Sequence, residues 1–279
     1  MEKQKTQKMF RKAYDAAKKG ARRLLLGVAL YAAGAGSSAC GGKLGLVEPP
    51  MDSGMRTDEP DATCQRKIGL GSLPFWGESP DPAEVVIFGD FQDPYTGKLY
   101  SDVEQKIRQN QKYMAGNVDI FWRDFPLSAH ANAEAAAEAG RCAAEQGGGF
   151  WTMHDALLVN QSRWAPLAPK DLQAALNGIA QSANFDVARF ESCVLSRKHS
   201  AAIQQDLSDG TSYGVNGTPY VFILLPKGRG IDLNAIKALP GLGSDGSAPK
   251  LDEDCRFHIV AIPGAYPYSY FSTVLDAMK

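Results

Sequence analysis

The chain has 279 residues, 44% of them hydrophobic and 22% charged, with a formal net charge of −1. These are globular values, which exclude a disordered chain, a collagen and a coiled coil, and no apolar run reaches the roughly 18 residues of a comfortable membrane span. The charge is uneven: residues 1–23 hold nine Lys or Arg against Glu2 and Asp15, a net +7 that leaves −8 on the remainder. An acidic body argues against nucleic-acid binding, which needs a basic stripe.

The basic stretch leads into a short apolar run, Leu24 to Gly36, then Ser37-Ser38-Ala39-Cys40-Gly41-Gly42. Basic start, short apolar centre and small-residue exit describe a secretory leader. Small residues before a Cys resemble a bacterial lipoprotein signal, which implies lipidation at Cys40. Ser37 stands where a large aliphatic residue is usual. Plain cleavage near Ala39, and an uncleaved anchor or cytoplasmic helix, are the alternatives. Residues 1–40 are thus expected to be a leader. Residues 41–66, rich in Gly, Pro, Asp and Ser, are expected to be a flexible tether.

The folded part begins near residue 67. Glu84–Phe91 is a β-branched apolar run and predicts a buried strand. Asp93-Pro94 supplies the favoured N-cap and first-turn residue types of a helix. That helix is predicted to run to about Met114, with Leu99, Val103, Lys106, Ile107 and Asn110 near one stripe. Asn117–Phe125 predicts a second strand, which completes a βαβ unit. Residues 128–207 are Ala-rich and helical, with breaks at Gly147–Gly149, around Pro166 and Pro169, and near Asn184. Tyr220–Leu225 and Phe257–Ile262 are the third and fourth strands, and Tyr268–Met278 a closing helix. Residues 226–254 are too long for a hairpin turn, with a short helix possible over Ile231–Leu239.

Cys40 aside, Cys64, Cys142, Cys193 and Cys255 are even in number. After export, two disulfides with three connectivities are open to them. No pair has C-x-x-C spacing and no His stands at ligand spacing from a Cys, so no metal site is expected. No cofactor is expected either. His130 and His154 are expected to pack or cap, and His199 to be solvated.

The order βαβ, helical block, ββα is that of a thioredoxin-like α/β core with helices inserted between its halves. From about Lys67 onward the chain resembles the DsbA-like thiol–disulfide oxidoreductases of the bacterial envelope. The resemblance rests on Asp90-Phe91-Gln92 before a Pro-Tyr helix start and on Phe125-Pro126-Leu127 with His130. It continues through Cys142-Ala143-Ala144-Glu145-Gln146-Gly147, Phe150-Trp151 and His154-Asp155-Ala156-Leu157. Phe185-Asp186 with Phe190 and Cys193, Gly214 to Pro219, and Gly264-Ala265 before Pro267-Tyr268 complete it. The resemblance implies a Cys142–Cys193 disulfide. Cys64 and Cys255, which precede the first and fourth strands, are left as a second pair at one end of the sheet.

The family's C-x-x-C follows Asp-Phe-Gln, and here those four positions read Asp93-Pro94-Tyr95-Thr96. A carboxylate cannot attack a disulfide sulfur, and Thr96 cannot resolve a mixed disulfide. No catalytic residue is therefore expected at these positions, and Asp93 reads as a structural N-cap. The resemblance also implies that Thr218-Pro219 is cis. Thr218, Pro219 and Tyr95 then become candidates for a peptide-binding edge. The expected function is an exported, lipid-anchored module in the periplasm or cell envelope that binds a polypeptide or envelope-protein partner. The membrane contact is the lipid on Cys40, and nucleic acid is not a partner. The alternative is an oxidoreductase that uses Cys142/Cys193 or Cys64/Cys255.

Overall fold

A computed structural model describes residues 66–77, 81–115, 117–242 and 250–279. The leader, with Cys40, and the tether up to residue 65, with Cys64, lie outside the described residues. Among the described residues five strands form one sheet: β1 (Ala83–Gly89), β2 (Val118–Asp124), β3 (Tyr220–Pro226), β4 (Lys250–Glu253) and β5 (Phe257–Pro263), in the order β2-β1-β3-β5-β4. β1 and β2 are parallel, with Val85 opposite Ile120. The β1–β3, β3–β5 and β4–β5 pairs are antiparallel. This is the thioredoxin-like α/β arrangement that the element order implies.

The helices follow the residue patterns with local corrections. The run after β1 comprises α1 (Pro94–Leu99), a π-helical turn (Tyr100–Glu104), α2 (Gln105–Gln109) and α3 (Gln111–Met114). Leu99, Val103 and Ile107 are buried as expected, but Lys106 is exposed. Asn110 has left the helix to an extended ψ of 116°, and its side chain caps α3 at Lys112 N. The π turn also directs Tyr100 and Glu104 inward.

The helical block holds α4 (Ala133–Ala144), α5 (Phe150–Val159), α6 (Gln161–Trp164), α7 (Pro169–Ser182), α8 (Val187–Leu195) and α9 (Ser200–Ser212). It extends past the expected limit at residue 207. Its breaks fall where Gly147 (φ 70°) and Asn184 (φ 62°) take left-handed backbone, conformations that Gly adopts freely and Asn tolerates. α10 (Leu233–Lys237) lies in the insertion and α11 (Tyr268–Asp276) closes the chain.

Strand alternation sends side chains to two cores. On one face Val85, Ile87, Ile120, Trp122, Val221 and Ile223 pack with Leu99, Val103, Ile107, Phe150 and Phe271. On the other, Val86, Phe88, Phe121, Phe222 and Ile259 pack with Phe125 and Val215. α9 comes so close to this second core that a Cβ on Gly210 would stand 2.8 Å from the Phe88 ring. Burying each large apolar side chain contributes about 1.5–3 kcal/mol. A buried ion network fastens the block to β2: Arg123 pairs with Asp206 and Asp209, and Arg141 with Asp124 and Asp206.

Strand β4 is the one sheet element without a sequence signal. Lys250-Leu251-Asp252-Glu253 is mostly exposed, and it pairs only along β5. A short, charged strand suits a sheet edge, where exposed backbone groups would otherwise invite pairing with another chain.

Candidate functional site

The helix start after β1 faces the loop before β3. Asp93 is 3% exposed and caps α1. Its Oδ1 accepts from Tyr95 N at 3.0 Å, and its Oδ2 accepts from Thr96 N at 3.2 Å and Thr96 Oγ1 at 3.1 Å. A fourth donor comes from across the fold, Thr218 Oγ1 at 2.8 Å from Oδ2. The Thr218-Pro219 bond is cis, so the structure brings Asp93, Thr96, Thr218 and Pro219 together. Tyr95 is 64% exposed beside them. Gln161 Nε2 from α6 donates to the Phe91 and Asp93 carbonyls, both at 2.8 Å, and so holds the turn from behind. Free N–H groups and the helix dipole favour an anion at this place, and Asp93 fills it. The arrangement holds a carboxylate among four hydrogen-bond donors. It contains no sulfur and no activated nucleophile.

Below this turn Asp90 Oδ2 lies 2.6 Å from His130 Nδ1 and accepts from Leu127 N at 3.0 Å. Burial pushes the Asp90 carboxyl up, against the pull of these hydrogen bonds. His130 packs as expected, with Asp90 as its fixed partner. It also lines a cleft of about 510 Å³ with Phe125, Leu127, Glu134 and Leu207.

A second buried polar group centres on His154, which packs as expected, while its neighbours Glu104, Arg108 and Asp155 were not among the candidates from the sequence. His154, fully buried, is ringed by Phe91, Tyr100, Trp122, Phe150 and Trp151 at centroid distances of 4.8–5.9 Å. Its Nδ1 lies 3.0 Å from Asp155 Oδ1, and its Nε2 lies 3.6 Å from Glu104 Oε2 without a hydrogen bond. Arg108 grips Asp155 with two bonds, at 2.6 and 3.1 Å, and reaches Glu104 Oε1 at 3.2 Å. Burial pushes the Glu104 carboxyl up. Burial acts on Asp155 too, but bonds from His154 and Arg108 outweigh it and hold Asp155 low. The sequence signal for this cluster is Glu104 with Arg108 at helical spacing beside the apolar Val103 and Ile107.

Cys142 of α4 and Cys193 of α8 form a disulfide, S–S 2.03 Å, with Cα atoms 5.8 Å apart. Cys255 is disulfide-bonded as well. His199 is not the solvated residue expected: its side chain is 21% exposed and lies beside Glu145. Its ring nitrogen and the Cys142 and Cys193 sulfurs all fall within 4.8 Å of one another. The linear spacing of these residues gave no hint of this, because the turn between α8 and α9 folds His199 back over the disulfide.

A family model described as thioredoxin matches residues 72–234, more than half of the chain. Two curated proteins are similar over 143 residues, 51% of this chain and 20% of each relative. They are the Na(+)/H(+) antiporters NhaA 1 of Salinispora arenicola, 34% identical, and NhaA 3 of Salinispora tropica, 35% identical. The chain spans about a fifth of the length of these curated relatives. Among solved structures, α-DsbA1 of Wolbachia pipientis is similar with TM-score 0.55 and 21% identity, over 74% of this chain and 92% of that one. The chain belongs to the thioredoxin family, and its fold is that of the DsbA-like proteins.

Proposed function

We propose that this protein is an exported, lipid-anchored DsbA-like module that has lost the redox cysteine pair and binds extended polypeptide in the cell envelope. The observation that carries the reading is Asp93. It occupies the helix start opposite the cis-proline loop, and four neutral donors engage it there. Thiol exchange at this place would need a thiolate, and the residues present are Asp93-Pro94-Tyr95-Thr96. The peptide edge is supported by Thr218. Its hydroxyl is tied to Asp93, and neither of its backbone groups is engaged by another backbone group among the described residues. A strand-like segment would pair there, with exposed Tyr95 as a side-chain platform. Export and anchoring rest on the leader composition and Cys40. Among the described residues no helix is long and apolar enough to cross a membrane. A domain shared with two antiporters also suits work beside a membrane.

The test is dithiol oxidation and disulfide reduction by the purified protein, with a parallel titration of a labelled unfolded peptide. The expected result is no turnover, peptide binding that weakens in Tyr95→Ala, and gain of exchange in Asp93→Cys/Thr96→Cys. Turnover by the unmodified protein that native alkylation abolishes would instead place the chemistry on another cysteine pair. The burial of Cys142 at 1% and Cys193 at 8% weighs against catalytic exchange by that pair. For the anchor, Cys40→Ser is expected to move the protein from the membrane to the soluble fraction.

A further inference from the structure

We propose that Cys142, Cys193 and His199 form a zinc site once their disulfide is reduced, with Glu145 beside the imidazole. The ligand types and placement carry this. Two sulfurs and one imidazole nitrogen lie within 4.8 Å of one another. Zinc bonds of about 2.0–2.3 Å in a tetrahedron separate neighbouring ligand atoms by roughly 3.3–3.8 Å, so the two sulfurs, 2.03 Å apart while bonded, must part by about 1.7 Å and the imidazole close in by about 1 Å. Glu145 follows Cys142 by three positions at the end of α4, a spacing that places both on one side of a helix. Its Oε1 is already 3.0 Å from His199 Nε2. That nitrogen is buried and makes no aligned hydrogen bond.

The charges also fit. Two thiolates balance the charge of Zn²⁺, and the neighbouring Glu145 carboxylate is itself paired with Lys198 at 2.7 Å. Arg189 stands 3.9 Å away on the same carboxylate. Two thiolates with an imidazole are a soft set that selects zinc over the hard cations.

The step balances with a dithiol as reductant. Two electrons and two protons pass to the Cys142 and Cys193 sulfurs as the S–S bond breaks, and the donor becomes a disulfide. Zinc then displaces the two thiol protons. The metal would join α4, α8 and the turn before α9, the same three pieces that the disulfide and His199 hold together. The site is therefore a staple that survives a change of redox state by changing its chemistry. It owes nothing to the Asp93 reading and stands or falls separately.

The experiment uses the full chain carrying Cys40→Ser, Cys64→Ser and Cys255→Ser, so that the other thiols are absent. After reduction with a phosphine, titration with Co²⁺ alone is expected to give one bound equivalent with a thiolate-to-cobalt charge-transfer band. The oxidised protein should give none. Zn²⁺ should displace the cobalt, and His199→Ala should weaken binding at least tenfold. If the triple-Ser background does not fold, wild-type protein gives the same decision by melting. Zn²⁺ should raise the Tm of the reduced form, leave the oxidised form unchanged, and lose its effect in His199→Ala. Folded, reduced protein that takes up no metal through its thiolates would overturn the site. Equal uptake by the His199→Ala variant would do so too.

Discussion

Asp93 and Glu104 stand eleven residues apart on one helical run, and both carboxylates are out of water, at 3% and 2% exposure. Their surroundings are opposite. Asp93 is enclosed by donors, three of them from its own helix start and one from Thr218. Glu104 abuts a small cavity lined by Val103, Ile107 and Ile120, with Arg108 as its hydrogen-bonding partner and His154 at 3.6 Å without a bond. A carboxylate can be buried in either way, and around Asp93 only neutral donors stand in for water. Neutral N–H and O–H groups replace its hydration without adding charges that themselves need solvation. Glu104 has one hydrogen-bonding cation, Arg108, four residues along the chain, and burial pushes its carboxyl up.

The largest expected effect tests the charged cluster. Arg108→Leu leaves Asp155 and Glu104 without their cation and should cost about 3 kcal/mol in urea unfolding, as breaking a buried pair does. Asp93→Ala removes a cap and the acceptor for two hydroxyls, with a loss of about 1–2 kcal/mol in the same measurement. If it matched the Arg108 variant, the contrast between the two sites would be gone. Thr218→Val deletes one of four donors and should cost about 1 kcal/mol. Its peptide affinity should be retained, because the proposed pairing uses backbone groups.

The smallest effect sharpens the contrast through pH. The folded pKa of Glu104 lies above its unfolded value, so its contribution to stability is fully present below the unfolded value. That contribution is lost as pH rises through the folded one. Glu104→Gln should therefore match wild type near pH 4 and be the more stable of the two at pH 8, as read by unfolding at both. A wild type that stays the more stable at pH 8 would mean that Arg108 and His154 hold Glu104 as well as the four donors hold Asp93.

Much of the fold was legible because its signals are local. The four strands of the expected core are β-branched or aromatic runs, and each appeared within about two residues of its expected place. The cap at Asp93 reaches only to Tyr95 and Thr96, so residue types in order were enough to read it. The Cys142–Cys193 bond came from family resemblance, since four cysteines alone left three pairings open.

The rest needed tertiary structure. Strand β4 carries no apolar alternation, because an exposed edge strand has no core face to fill; backbone pairing with β5 alone defines it. The π turn at Tyr100–Glu104, which buries Tyr100, Val103 and Glu104, has no signal in the residue order. The Glu104–Arg108–His154–Asp155 cluster draws on two helical runs, and the grouping of His199 with the disulfide on three elements. Sequence order specifies the residue at each position along one element. The sequence by itself therefore determined the class of fold, the carboxylate at the helix start and the absence of C-x-x-C there. Only the packing of helices against the sheet decided which polar groups meet, because those distances are set by how separate elements bury their apolar faces together.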